Sequence, residues 1–233
     1  MPLFYIPDIS GEKITPSSAE SKHMVKVLRL SEGDIVQVVD GKGGFYQAEI
    51  RDANPRKCVL SILNSEQKSG KRDFWLHIAI APTKNIDRFE WFLEKATELG
   101  IDEITPILTA RSERKIIKPE RLQKVMIAAM KQSLKAYLPK LNPLTPVADL
   151  IKSEKNPNKF IAHCMEGNKR HLKDVINRKE NCLVLIGPEG DFNEEEIELA
   201  NKFGFTEISL GNARLRTETA GVAACHIVNL VNE

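Results

Sequence analysis

The run Leu183-Val184-Leu185-Ile186-Gly187-Pro188-Glu189-Gly190-Asp191 decides how this chain is read, because it carries a short apolar strand straight into a glycine-rich turn. Asn193, with Glu196 three residues on, has the pattern of a capping box, so a helix is expected to open directly after the turn. Strand, turn and helix in that order are the repeating unit of a parallel sheet. Gly187 would end the strand where a Cβ obstructs, and Pro188 would stiffen the turn. Such a loop lies at the carboxyl end of its strand, where open α/β sheets bind their ligands.

Outward from this run the same alternation fills the larger part of the sequence. Apolar stretches at 74–81, 104–108, 160–164, 183–186 and 207–210 read as strands, and helices are expected at 119–137, 171–177, 194–203 and 217–231. A further helix places Phe89, Phe92, Leu93, Ala96 and Leu99 on one face before Gly100 stops it. This pattern predicts an α/β domain whose parallel sheet is covered by helices on both faces. The polar stretch 65–73 separates it from a region of different texture, so the boundary is set between 1–70 and 71–233. Before it lie a short helix at 18–29 and strands at 34–40, 44–51 and 57–63, with Gly41, Gly43 and Gly44 supplying a hairpin loop. A small, mostly antiparallel β domain follows from these.

Composition narrows the class without naming an activity. Hydrophobic residues are 42% and charged residues 28% of the 233, which suits a globular chain and not a disordered or fibrous one. No apolar run approaches a membrane span, and the first residues lack the features of a signal peptide, so a cytoplasmic location is expected. Cys58, Cys164, Cys182 and Cys225 are scattered and the five histidines share no ligand spacing, so reduced thiols and no metal are expected. GxGxxG at a strand-to-helix turn and GxxxxGK[ST] are both absent, which leaves the common nucleotide cradles unsupported. Net charge is only +2, yet residues 111–140 hold nine basic residues against two acidic ones. That stretch is either a solvated helix face or a phosphate-contacting patch.

Two segments carry chemistry. Around the first, Glu189, Asp191, Glu194, Glu195, Glu196 and Glu198 crowd the turn and the start of its helix. Their charge disfavours a bare phosphate and suits a cationic ligand such as a sulfonium; a well-capped helix with no ligand is the alternative. The second, Leu210-Gly211-Asn212-Ala213-Arg214-Leu215-Arg216-Thr217-Glu218-Thr219-Ala220-Gly221, also joins a strand to a helix. It either faces the same pocket or is a turn in which Thr217 caps the helix and the arginines are solvated.

Together the segments resemble the 16S ribosomal RNA uridine-N3 methyltransferases, a family of the SPOUT superfamily of knotted methyltransferases. The resemblance rests on Gly187-Pro188-Glu189-Gly190 before an N-capped helix and on Leu210-Gly211 with Leu215-Arg216-Thr217-Glu218-Thr219-Ala220. It extends through residues 84–88, Glu94-Lys95-Ala96-Thr97-Glu98-Leu99-Gly100, Arg111-Ser112, Gln132-Ser133 with Pro139, and His23 with Val27-Leu28-Arg29 and Gly33-Asp34. It thus covers nearly the whole chain. Departures are Asp191 where the family usually has a second glycine, Ala213-Arg214-Leu215-Arg216 in place of Arg-Ile-Leu-Arg, and Lys131 and Lys135 where an acidic residue and an arginine are frequent.

The resemblance implies a PUA-like RNA-binding β-barrel over 1–70, and a SPOUT methyltransferase domain over 71–233 with a deep trefoil knot and a homodimer interface. It implies S-adenosylmethionine as cofactor, held by Leu185, Gly187, Glu189, Gly190, Leu210, Gly211, Leu215, Thr219 and Ala220. The substrate would be 16S ribosomal RNA near the decoding region, within the small ribosomal subunit, contacted by His23, Arg29, Lys84, Arg88, Arg111 and Arg114. Arg216 would stabilise charge on the uracil oxygens, and Glu218 or Glu189 would take the N3 proton. Alternatives are a SPOUT-type enzyme acting on another base or a ribose 2′-hydroxyl, an RNA-binding scaffold without catalysis, and an enzyme acting on a small nucleotide.

Overall fold

In the computed structural model, which describes residues 1–233, the chain forms two units: Met1–Lys71 with Ile127–Leu138, and Arg72–Met126 with Pro139–Glu233. The first contains β1 (Leu3–Tyr5), β2 (Lys13–Ile14), α1 (Ser18–Lys22), β3 (Ile35–Val39), β4 (Phe45–Asp52) and β5 (Val59–Glu66). Its sheet runs β1-β3-β4-β5-β2, antiparallel except for the parallel β1–β3 pair. Alternate residues of β3 and β4, Val36, Val38, Ala48 and Ile50, point into a core with Phe4, Ile14, Met24 and Leu60, the period-two signature that made these strands visible. β1 and β2 have three and two residues and no period to read. The helix expected at 18–29 is α1 prolonged by a π-helical turn, His23–Val27, and Arg29 has left the helix with φ 56.

Ile127–Leu138 lies outside the expected 1–70 boundary yet packs on this sheet, with Met130 and Ala136 buried against Leu3 and Val39. The β3–β4 hairpin is shaped to receive it. A Cβ on Gly43, whose φ is 102, would stand 2.3 Å from Tyr137 Oη, so close approach as well as backbone conformation requires glycine there.

The second unit contains β6 (Leu76–Ile80), α2 (Ile86–Leu99), β7 (Glu103–Leu108), the start of α3 (Pro119–Gln132), β8 (Lys140–Leu141), β9 (Thr145–Pro146), α4 (Val147–Ser153), β10 (Lys159–Ala162), β11 (Arg170–His171), β12 (Cys182–Ile186), α5 (Glu194–Lys202), β13 (Thr206–Ser209) and α6 (Thr217–Asn232). Its strands run β11-β13-β10-β12-β6-β7-β8, with β9 on β7, and every pair is parallel. On one face Ala79, Ile161, Leu183 and Leu185 meet Val147 and Ile151 of α4 and Ile197 and Ala200 of α5. On the other, α6 lies so close to α2 and β6 that a Cβ on Gly221 would meet Phe92 at 2.7 Å and Ile80 at 2.8 Å. The expected two-sided α/β architecture is therefore present. No helix is long and apolar enough to cross a membrane.

Three local expectations are corrected. α3 stops at Gln132, not at 137, because Leu134 takes φ 54. The helix expected at 171–177 is a single 3-10 turn, Leu172–Asp174, in which only Leu172 is fully buried. Leu99 stands 36% exposed at the last turn of α2, and Thr97 is buried in its stead, donating its hydroxyl to the Leu93 carbonyl at 2.7 Å.

Candidate active site

Parallel pairing brings the loops after β6, β7, β10, β12 and β13 to one edge of the sheet. The turn after β12 is built by close approach: a Cβ on Gly187 would lie 3.1 Å from the buried Phe192 ring. Asp191 N then donates to Pro188 O at 2.9 Å. Asp191 itself sits at φ 63, the left-handed region that glycine favours. Its carboxylate supports that conformation by accepting from Phe192 N at 2.8 Å and from Cys164 N at 2.7 Å. Asp191 thus tolerates a backbone that glycine favours and adds a tie to the loop after β10.

More such ties join the loops. Glu189 Oε1 accepts from Lys84 N at 2.9 Å, fastening the β12 turn to the loop after β6. Asn193 and Glu196 form the expected capping box, and Glu196 also accepts from Ala110 N at 2.8 Å. Arg111 donates to Gly190 O at 2.9 Å, and Arg114 donates to Thr83 O at 2.9 Å and Lys84 O at 2.6 Å. Lys84 Nζ pairs with Glu113 at 2.7 Å, a hydrogen bond that raises the lysine pKa.

These bonds change two readings made from the sequence. Of the six carboxylates expected to form a negative field, Glu189, Asp191 and Glu196 are spent on backbone N–H groups, while Glu194, Glu195 and Glu198 are exposed on α5. Of the nine basic residues in 111–140, Arg111 and Arg114 hold carbonyls, Arg121 pairs with Asp87 and Glu90, Lys131 with Glu20, and Lys140 with Glu103. Lys115, Lys118 and Lys124 are exposed.

The segment after β13 has a different character. Gly211, Asn212, Ala213, Arg214 and Arg216 are exposed and Leu210 and Leu215 half-buried. The N-cap of α6 is Arg216 and has no side-chain cap, so the alternative in which Thr217 caps the helix is not what forms; Thr217 is buried in the first turn. Glu218 beside it is 7% exposed. Its Oε1 lies 3.8 Å from Arg88 Nε, too far for a hydrogen bond, and its buried Oε2 has no partner. Thr219 is exposed and Ala220 half-buried.

Lys84, Arg88, Arg111, Arg114, Glu189 and Glu218 therefore converge on one edge, whereas His23 and Arg29 belong to the other unit. Leu185 is fully buried on the α4–α5 face and lies mid-strand, paired with Ile161 and Ala79, so its side chain is core. Sequence reading missed the loop after β10. His163 Nε2 lies 2.7 Å from Glu207 Oε2, and Lys169 Nζ donates to the carbonyls of His163 (2.7 Å) and Met165. Glu207 is held below the usual carboxylate range by the hydrogen bond from Asn201 and, against burial, by that from His163. Nothing local in the sequence signals this clamp, because its partners come from two strands.

Residues 71–229 match the model of an RNA methyltransferase domain, and residues 17–63 that of an RNA methyltransferase PUA domain. A ribosomal RNA small subunit methyltransferase E of Rickettsia conorii is 31% identical over 226 residues, covering 95% of this chain and 91% of that one. A probable rRNA-methyltransferase from Porphyromonas gingivalis superposes with a TM-score of 0.94 at 40% identity, covering 100% of this chain and 98% of the other. The Neisseria gonorrhoeae ribosomal RNA small subunit methyltransferase E bound to S-adenosyl methionine gives 0.90 at 25% identity, covering 100% and 98%. A parallel sheet with cross-tied loops at its carboxyl edge agrees with these matches: the chain belongs to the RNA methyltransferase family.

Proposed function

We propose that this protein transfers the methyl group of S-adenosylmethionine to N3 of a uridine in 16S ribosomal RNA near the decoding region, acting on the small ribosomal subunit as a homodimer. The observation that carries the catalytic reading is Glu218, a carboxylate 7% exposed with one oxygen unbonded. A buried polar atom left without a hydrogen bond costs about 1–3 kcal/mol, so its place in the first turn of α6 fits a group kept for chemistry. S-adenosylmethionine supplies a sulfonium-bound methyl group activated for transfer. The uncapped start of α6, the exposed backbone at 211–214 and the glycine turn at 187–190 suit the cofactor's adenosyl and amino-acid groups. Gly187, Glu189, Gly190, Leu210, Gly211, Leu215, Thr219 and Ala220 would hold them.

Glu218 takes the imide proton of the uridine, through its unbonded oxygen, with Arg88 Nε 3.8 Å from its other oxygen. Glu189 is the second candidate, since one of its oxygens already accepts from Lys84 N and holds the turn. Arg216, exposed at the N-cap of α6, stabilises the charge that develops on the uracil oxygens. N3 lies on the pairing edge, so the target base must be unpaired or extruded. Lys84, Arg88, Arg111 and Arg114 on this edge, with His23 and Arg29 of the N-terminal unit, would hold the flanking RNA, Arg111 and Arg114 acting also through the loops they fasten. We further infer a PUA-like barrel in the N-terminal unit and a trefoil knot in the C-terminal one. The return of α6 from β13 onto β6, β12 and α2 supports the knot.

Small subunits from a strain lacking the protein, incubated with it and S-adenosylmethionine, should acquire 3-methyluridine at one position. A 2′-O-methyl group or another methylated base would refute the N3 assignment. Cofactor at about 100 times its Kd should stabilise the fold by roughly 2.7 kcal/mol, and no thermal shift would favour a scaffold without catalysis.

A further inference from the structure

The N-terminal unit contains a cavity of about 590 Å³ lined by Tyr5, Ile6, Asp8, Ser17, Glu20 and His23 among others, a size typical of small-ligand sites. Its walls come from the end of β1, the entry to α1 and Ile127. Ile6, Pro7, Ala19 and Ile127 give it apolar sides, while Tyr5, Thr15, Ser17, His23, Glu20 and Asp8 give it a polar edge. The arrangement beneath is polarised. Lys131 Nζ donates to Glu20 Oε1 at 2.7 Å and stands 5.5 Å from the centre of the Phe4 ring, which is T-shaped to the His23 ring at 6.0 Å. Glu20 Oε2 is buried without a hydrogen bond, with His23 Nδ1 3.7 Å away. Burial and the charges of Asp8 and Asp40 push the Tyr5 hydroxyl pKa up, so it stays protonated.

The lining itself contains no lysine or arginine, and its two carboxylates are each met by a lysine from outside it, Glu20 by Lys131 at 2.7 Å and Asp8 by Lys42 at 3.5 Å, so the face is close to neutral and offers a phosphate no free cation. A flat group with apolar faces and N–H donors on its rim fits. We propose that the cavity binds one unpaired nucleobase bearing an exocyclic amine, from RNA flanking the methylated residue, with acceptors on the Asp8, Glu20 and His23 side of the cavity reading the amine. The Ser17–His23 wall lies within the residues that match the RNA methyltransferase PUA domain, which places the cavity in the part of the chain expected to meet RNA. This rests on the reading of the chain as an enzyme acting on RNA. It gives His23 a role distinct from phosphate contact, and it gives Lys131, a departure from the family pattern, the task of fixing Glu20.

Guanosine and inosine differ only by an amine against hydrogen, so that pair isolates the proposed contact; cytidine and uridine exchange the amine for a carbonyl and also the N3 acceptor for an N3–H donor, so they test the whole pairing edge. Amide resonances of Tyr5, Glu20 and His23 in the full-length protein should shift with cytidine and guanosine, with affinity about tenfold or more above that for uridine and inosine. Ala19→Trp, at an exposed helix position, should fill the cavity and weaken binding of a substrate RNA fragment by about tenfold, the loss expected when one base is displaced. Should that variant fail to fold, His23→Phe keeps the ring and should abolish the preference for the amine. Equal response to uridine and cytidine, or shifts only elsewhere, would overturn the proposal, as would unchanged RNA binding by a folded Ala19→Trp. Cofactor binding, read at Gly187 and Gly190 in the same samples, tests the methyltransferase reading separately.

Discussion

The two edges of the parallel sheet are both rich in polar side chains, but they use them in opposite ways. At the amino edge every group is matched: Glu103 accepts from Trp75 Nε1, Lys140 and Asn142, Asn142 also donates to Thr105, and His77 Nε2 lies 2.7 Å from Thr105 Oγ1. Arg72 joins Asp102, the Gly100 carbonyl and Asn229, which ties the start of β6 to the end of α6. At the carboxyl edge the loops are cross-tied too, yet Glu218 Oε2 is left without a partner and the 211–216 segment is open. Full pairing marks a polar cluster that holds the fold together. On the proposed function, the oxygen left without a hydrogen bond beside fastened loops is the one that meets the substrate.

That contrast can be broken by substitution. Arg216→Ala should lower kcat by about 10²–10³ with little change in melting temperature, since it removes a donor that acts only on developing charge. Full turnover in steady-state assays would remove Arg216 from the chemistry. Glu218→Gln should lower kcat by about 10² with little change in stability, because the ion pair it removes is long, at 3.8 Å from Arg88, and one of its oxygens makes no hydrogen bond. Loss of stability comparable to the loss of rate would make Glu218 a structural residue. The mirror experiment at the amino edge is Asp102→Asn, expected to cost about 2 kcal/mol in denaturant unfolding with kcat intact, since Asp102 accepts from both Arg72 and Leu76 N. Arg111→Ala should loosen the β12 turn and raise the S-adenosylmethionine Kd about tenfold, the equivalent of roughly 1.4 kcal/mol, by calorimetry.

The smallest effect is in pH. Burial holds the His77 imidazole below its ordinary 6.5, so the unfolded chain binds a proton there before the folded chain does. Stability should therefore fall as pH drops below 6.5 and level off once the folded-state value is passed. Glu103 is held below the usual carboxylate range, despite burial, by hydrogen bonds from Lys140 and Asn142. Its contribution is complete above the ordinary value of 4.5 and is lost at still lower pH. His77→Gln should flatten the first limb; an unchanged limb in urea titrations would assign it elsewhere.

Much of this was legible in order along the chain. The apolar stretch 74–81, broken only by His77, and the four apolar residues 183–186 revealed β6 and β12, the spacing of Phe89, Phe92, Leu93 and Ala96 revealed α2, and Asn193 with Glu196 the start of α5, because each signal is complete within one or two turns of chain. Two-residue strands such as β8, β9 and β11 escaped, since they exist only by pairing with a neighbour. Within the candidate site, the two glycine-bearing loops were legible, whereas the clamp of His163, Lys169 and Glu207 was not.

By itself, then, the sequence determined the strand–helix order, the two loops and the pool of charged residues from which a site could be drawn. Only the tertiary structure decided which of those charges are spent. Arg111, Arg114, Glu189 and Asp191 were indistinguishable in sequence from free surface charges until the fold set backbone groups as far as 105 residues away beside them. Hydrogen bonds are satisfied by spatial neighbours, and in a parallel sheet those neighbours are fixed by strand order, which no local pattern encodes.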